Sequence, residues 1–353
     1  NQGSNGAGNV GDGGNPDNPE GYATSYLWEY VLDKEMLLSI LQRYISKQVT
    51  EKIYLENGKQ KKKKSTRLIF PRYHQLDVVE KLIADTRQTT EGKNYLLQHS
   101  AGSGKSNEIA WLTYRLSSLH NEFDEEMFQT VFVVTDRRVL NKQLQETILG
   151  FDHKVGQIVT ITDKDNSTAL KDAINDKKRI IITTLHRFPL IYKELDAHKG
   201  KRFAIIVDEA HSSQNGSMSA KMNIALSGNI ADDSEDLEDK LNAIIEGRKM
   251  VKNANYYAFT ATPKNKTLQM FGTAFEQPDG EFGHRPFHEY TMKQAIEEGF
   301  IMDVLKHYTT YNSYYKIVKA VDSDPEFEKK QAQKKLRAFV EGQPETIQQK
   351  AAI

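Results

Sequence analysis

Gly102-Ser103-Gly104-Lys105-Ser106 follows the apolar stretch Tyr95 to His99, and Asp208-Glu209-Ala210-His211 follows the apolar stretch Phe203 to Val207. The first segment has the composition of a phosphate cradle. Its glycines let successive backbone N–H groups point at phosphate oxygens. The helix that follows adds its positive N-terminal end. Lys105 has the reach for β- and γ-phosphates, and the Ser106 hydroxyl can ligate Mg²⁺. Gly102, Ser103, Gly104, Lys105 and Ser106 are therefore candidate cofactor-binding residues. The strict pattern wants glycine where this chain has His99, and a plain Gly-rich turn is the competing reading. The second segment puts two adjacent carboxylates at a strand end. One can hold a metal through water while the other polarises the attacking water. Alone it has a competing reading as a surface-exposed acidic strand end. Together the two describe the binding and hydrolysis of a nucleoside triphosphate.

Other strand ends carry suitable groups. Thr260 and Thr262 close the stretch ending at Phe259, where two hydroxyls can meet carboxylates or phosphate, or simply cap the next helix. Thr135-Asp136-Arg137-Arg138 and Thr183-Thr184-Leu185-His186-Arg187 close two more. Hydroxyls and cations at neighbouring strand ends can follow a nucleic-acid backbone, although helix capping with solvated arginines explains them too. Upstream, Gln75 ends the cluster Phe70-Pro71-Arg72-Tyr73-His74-Gln75. Its amide offers the donor and acceptor that an adenine edge requires.

The elements that must position these groups alternate along the chain. Strands are expected at Tyr95–His99, Val131–Thr135, Ile158–Thr162, Ile180–Thr184, Phe203–Val207 and Tyr256–Phe259, with helices at Lys105–Leu119 and Arg138–Leu149. The strands are nearly continuous in apolar residues, which predicts an α/β fold with a mainly parallel sheet covered by helices on both faces. Tyr26–Ser46 has helical spacing of apolar residues, and a helix runs from Gln75 to about Thr86. Residues 1–20 read as a Gly-rich linker and 21–68 as a helical lead-in with a Lys-rich loop. Residues 69–285 read as the main domain, and 286–353 as a linker and the opening of a second domain.

The chain has 353 residues, 38% hydrophobic and 27% charged, and a formal net charge of +0. No run approaches the roughly 18 apolar residues of a membrane span. Cysteine is absent, which removes disulfides and thiolate metal sites and fits a reducing, cytoplasmic compartment. Charge is uneven. Lys59, Lys61, Lys62, Lys63, Lys64 and Arg67 form a basic run, and Asp232, Asp233, Glu235, Asp236, Glu238 and Asp239 an acidic one. Both read first as solvated loops, the basic one also as a phosphate contact. No Asn-Lys-x-Asp segment for guanine occurs, which disfavours a regulatory GTPase.

In this order the segments resemble superfamily-2 helicases and translocases. Tyr22–Glu29, Phe70–Gln75, Gln98–Ser106, Val134–Arg138 and Val207–Gln214 resemble the motor of type I restriction enzyme R subunits, whose own version of the loop carries His99. The resemblance covers about Gly21 to Val304. It implies a RecA-like P-loop domain that uses ATP and Mg²⁺ to move duplex DNA past methylation and specificity subunits. By resemblance, Gln75 recognises adenine, Lys105 and Ser106 serve phosphates and metal, Asp208 holds Mg²⁺ and Glu209 activates water. Lys105, Asp208 and Glu209 then form the catalytic set. His211, Thr260 and Thr262 couple nucleotide state to DNA grip, and Arg137, Arg138 and Thr184 lie along the DNA. The resemblance also implies an upstream nuclease domain and a second lobe with arginine fingers, neither visible here, so weak turnover by this chain alone is expected. Another superfamily-2 helicase, or an ATP-binding scaffold that never cycles, are the alternatives.

Overall fold

Short runs of Val, Ile and aromatic residues become the strands of one parallel sheet. The computed structural model describes residues 20–56, 59–89, 92–135, 138–151, 156–162, 165–166, 168–184, 187–198, 200–208, 253–276 and 280–303, with residues 14, 16 and 18. Glu209, His211, Arg137 and the acidic run at 232–239 lie outside them. In chain order the sheet strands are β3 (Asn94–His99), β4 (Thr130–Thr135), β5 (Ile158–Ile161), β6 (Ile180–Thr184), β7 (Phe203–Asp208), β8 (Ala254–Thr260) and β11 (His288–Tyr290), while β9 (Thr273–Glu276) and β10 (Phe282–Arg285) pair antiparallel outside it. The sheet's spatial order is β11-β3-β8-β7-β4-β6-β5, with every pairing parallel. β11 extends the sheet past residue 285.

Alternation along the strands divides the core in two. Tyr95, Leu97, Val131, Val133, Ile182, Ile206, Tyr257 and Phe259 face one way. They pack with α1 (Lys34–Arg43), α2 (Tyr73–Arg87), α3 (Lys105–Ser117) and α4 (Arg138–Phe151). Leu96, Phe132, Val134, Ile181, Ile205 and Tyr256 face the other way, against α5 (Ala169–Asn175), α6 (Phe188–Ala197) and α7 (Asn265–Phe271). Buried on both faces, the strands have no reason to alternate polar with apolar residues, which is the expected doubly covered α/β fold.

Two local expectations are corrected. The Lys-rich segment is a strand, not a loop: β2 (Lys59–Ile69) pairs antiparallel with β1 (Ser46–Glu56), from Glu56 opposite Lys59 to Ser46 opposite Ile69. Cross-strand hydrogen bonds give its backbone partners whatever its side-chain charge. The helix expected over Tyr26–Ser46 is broken. A π-helical turn at Leu27–Val31 ends, and α1 restarts behind Asp33, whose carboxylate accepts from the amides of Glu35 and Met36. A side-chain oxygen on free first-turn amides is a strong restart signal.

Candidate active site

The strand register brings the expected groups to one edge. Tyr290 of β11 lies beside His99 of β3, and Gln98 beside Thr260 of β8. Asp208 of β7 lies beside Phe259 of β8 and beside Thr135 of β4, which in turn neighbours Thr184 of β6. The phosphate-type loop, Thr260, Asp208, Thr135 and Thr184 thus occupy the carboxyl ends of adjacent strands, where open parallel sheets build their sites.

The loop itself runs from Ser100 to Gly104 and feeds α3. Gly102 and Gly104 have φ of +78° and +93°, conformations that cost other residues about 1–2 kcal/mol. Gly104 is doubly constrained, because a Cβ there would sit 2.4 Å from Gln75 Nε2. Lys105 donates to the carbonyls of His99 (3.0 Å) and Ser100 (3.3 Å) at the loop's start. The buried hydroxyls of Ser100 and Ser103 have no hydrogen-bond partner among the described residues. Buried polar groups left without protein partners suit a polar ligand.

Asp208 is at the end of β7, and burial pushes its carboxyl up to about 6 against the pull of the Lys105 ammonium. Thr260 is buried, and its hydroxyl accepts from the Thr262 amide at 3.2 Å. That bond closes a local turn and is not a cap of the next helix, which starts at Asn265 behind Lys264 with no side-chain cap. Thr184 is buried at the end of β6, and Arg138 opens α4. The buried hydroxyls of Thr135 and Thr183 also lack a partner among the described residues.

Gln75 is 3% exposed and its amide is engaged inside the protein. Nε2 donates to the carbonyls of Ser103 and Gly104, each at 3.2 Å, and Oε1 accepts from the Arg72 amide at 2.9 Å. The Ser103 carbonyl also receives Arg72 Nη1 at 3.4 Å and faces His74 Nε2 at 3.1 Å. The cation, imidazole and amide of one short motif therefore converge on a single loop carbonyl.

Several buried partners of the loop escaped the sequence reading. His74 stacks on Tyr290 with ring centroids 3.8 Å apart. Burial pushes His74 down to about 4, against the pull of the Glu108 carboxylate 3.5 Å away. Glu108, in the first turns of α3, is fully buried beside His99, with Nδ1 to Oε2 at 2.9 Å. Burial acts to raise its carboxyl, but His99, His74 and Lys105 together outweigh this and hold it below the usual range. His99 Nε2 lies 2.8 Å from His288 Nδ1, and His288 Nε2 lies 3.0 Å from Asp77. Burial lowers His288 against the pull of Asp77. The one sequence signal of this network was His99 standing where the strict pattern wants glycine.

Comparison with known proteins adds the family. The profile of the SWI2/SNF2 ATPase family matches residues 74–338. This chain belongs to the SWI2/SNF2 ATPases. As a family member it is a superfamily-2 helicase-like ATPase, and nucleotide use comes with that membership. A type I restriction enzyme endonuclease subunit of Staphylococcus saprophyticus is 28% identical over 246 residues, 67% of this chain and 21% of that subunit. A second such subunit, from Staphylococcus aureus, is 25% identical over 250 residues, again 67% of this chain and 21% of the relative. The resemblance to R-subunit motors read from the motifs is thereby borne out. The chain spans about a fifth of the length of these curated relatives. Among solved structures, the SWI2/SNF2 ATPase core of Sulfolobus solfataricus in complex with double-stranded DNA aligns with a TM-score of 0.33 at 15% identity, over 54% of this chain and 32% of that one. No helix among the described residues is long and apolar enough to cross a membrane.

Proposed function

We propose that this SWI2/SNF2 ATPase chain is the first, nucleotide-binding lobe of an ATP-driven translocase acting on duplex DNA, within the endonuclease subunit of a type I restriction enzyme. One observation carries the reading. The loop that ends in Lys105 and the Asp208 carboxylate lie at the carboxyl ends of strands of one parallel sheet, close enough for Lys105 to counter the burial of Asp208. In this reading the amides of Gly102 to Ser106 hold the phosphates. Lys105 leaves the carbonyls of His99 and Ser100 for the β- and γ-oxygens.

The residues fit Mg²⁺ as a shared rather than caged ion. No cluster of three or more His, Cys, Asp or Glu side chains suited to a metal occurs among the described residues. Mg²⁺ at a nucleotide site needs only one or two protein oxygens beside phosphates and waters. Ser106 and Asp208 supply them, and the ion would neutralise developing phosphate charge. Glu209 is assigned to the attacking water. Gln75 reports adenine only by releasing the Ser103 and Gly104 carbonyls, so base recognition and loop shape are linked through it. His211, Thr260 and Thr262 transmit nucleotide state, and Arg137, Arg138 and Thr184 contact the DNA backbone. Methylation and specificity subunits are the proposed partners.

The test is ATP hydrolysis by the whole endonuclease subunit with its partner subunits. Duplex DNA is expected to stimulate turnover, and Lys105→Ala and Glu209→Gln to abolish it along with displacement of a triplex-forming strand. Equal stimulation by RNA, or triplex displacement that survives Glu209→Gln, contradicts the translocase reading.

A further inference from the structure

We propose that Phe300 and Arg72 form a stacking platform that takes the purine base of the bound nucleotide. The proposal rests on the reading of the Gly102–Ser106 loop as the nucleotide site, and it names the group that receives the other end of the ligand.

The amide expected to read adenine has little to offer while the loop keeps this shape. Two loop carbonyls engage Gln75 Nε2, the Arg72 amide engages Oε1, and the side chain is buried. An adenine edge needs a donor and an acceptor turned outward. A base arriving at the loop therefore meets another group first.

Phe300 is fixed beside the loop by the way its helix ends. α8 (Met292–Glu297) closes on Gly299, which has a φ of +73°. The Gly299 amide donates to the Ile296 carbonyl at 3.0 Å, and the Phe300 amide to the Ala295 carbonyl at 2.9 Å. This pair of bonds is the Schellman turn, and it sets the backbone of the residue after the glycine. An apolar residue there commonly packs back on its own helix. Here the Arg72 guanidinium lies over the Phe300 ring, 4.0 Å from its centroid, and 39% of Phe300 stays exposed. The next residue, Ile301, reaches the loop, since a Cβ on Gly102 would meet it at 2.9 Å.

Arg72 links this surface to the phosphate end. It is the residue before α2, and its Nη1 donates to the Ser103 carbonyl at 3.4 Å while its guanidinium lies over the ring. Guanidinium planes and aromatic rings both stack on nucleobases. The platform is also backed. The His74 ring centroid is 6.1 Å from that of Phe300, and His74 itself stacks on Tyr290 with planes 6° apart. Stacking reads ring faces rather than edge hydrogen bonds, so preference follows stacking strength. A two-ring purine covers more of such a surface than a pyrimidine does. Phe300 is thus a binding residue for the base, and Arg72 binds the base while holding the loop.

The test is isothermal titration of the full chain with Mg²⁺–ADP, Mg²⁺–UDP and inorganic pyrophosphate. Phe300→Ala is expected to weaken ADP binding about tenfold, the scale of one base stack. It should leave pyrophosphate binding unchanged and shrink the preference for ADP over UDP. Phe300→Tyr is expected to keep the original affinities. Phe300→Leu retains apolar bulk without a ring face and should behave like Phe300→Ala. It also supplies the reading if Phe300→Ala does not fold by circular dichroism. Unchanged ADP affinity in these variants overturns the platform, and so does an equal loss for ADP and pyrophosphate, which marks a purely structural role. An ADP preference over UDP that survives intact leaves the base to Gln75 and overturns it too. If the unaltered chain binds neither ADP nor pyrophosphate, the nucleotide reading of the loop fails and the platform falls with it.

Discussion

Burial raises the Asp208 carboxyl to about 6 from an ordinary 3.8. Well below 3.8 both folded and unfolded chains hold the proton, and the group leaves stability unchanged. Between the two values the unfolded chain releases its proton first, so stability falls as pH rises. Above about 6 the whole cost persists, about 2 kcal/mol once its remaining exposure is allowed for. Asp208→Asn is expected to raise stability at neutral pH by about that amount and to remove Mg²⁺-dependent hydrolysis. Denaturation of both proteins across this interval checks it, and an unchanged difference at acid and neutral pH contradicts it. Gly104→Ala is expected to cost about 1–2 kcal/mol, to displace the Gln75 amide and to weaken nucleotide binding, read by ADP titration and thermal melting together. The glycines were legible because their constraint is local. His74 and His288 were not, since their contacts join residues 29 to 211 positions apart, and a lone buried histidine has no periodic signature.

Secondary-structure elements were legible where apolar residues set them. The strand ends carrying Thr135, Thr184, Asp208 and Thr260 follow from Val- and Ile-rich runs, and the helix after Lys105 from its spacing. The β1–β2 pair was hidden because a lysine run reads as solvated chain, while the hydrogen bonds that make it a strand come from Ser46–Glu56. The break before α1 was hidden because apolar spacing continues across Asp33. The lead-in elements are tied to α2 and α3 by polar contacts. Glu80 of α2 accepts from Tyr44 at 2.7 Å and receives both guanidinium nitrogens of Arg115 on α3, at 2.5 and 3.1 Å. Burial acts to raise Glu80, and Arg115 outweighs it, so the carboxylate stays charged. Glu80→Ala strands Arg115 among protein groups and is expected to cost about 3 kcal/mol, with Glu80→Gln costing less. Denaturant titration measures both, and equal losses would mean that packing, not the ion pair, holds the lead-in.

Across the whole molecule the charges cancel, +48 against −48, so attraction to a phosphate backbone must come from local placement. β2 concentrates it. Its 11 residues include Lys61, Lys63 and Arg67. Replacing all three with Gln is expected to weaken duplex binding by the subunit and to flatten its salt dependence. The logarithmic slope should change by about 0.9 for each phosphate that is no longer neutralised. An unchanged slope would make the run a solvated edge. The strand order β11-β3-β8-β7-β4-β6-β5 was out of reach of the sequence, because local patterning specifies strands and not their neighbours.

The chain leaves the sheet domain through Phe300 and Ile301. The Arg72 guanidinium lies 4.0 Å over the Phe300 ring, and a Cβ on Gly102 would meet Ile301 at 2.9 Å. The chain's path out of the sheet is therefore pressed against the glycine loop itself. Loop shape at Gly102 and the position of Ile301 share one joint, so neither can shift without the other giving way.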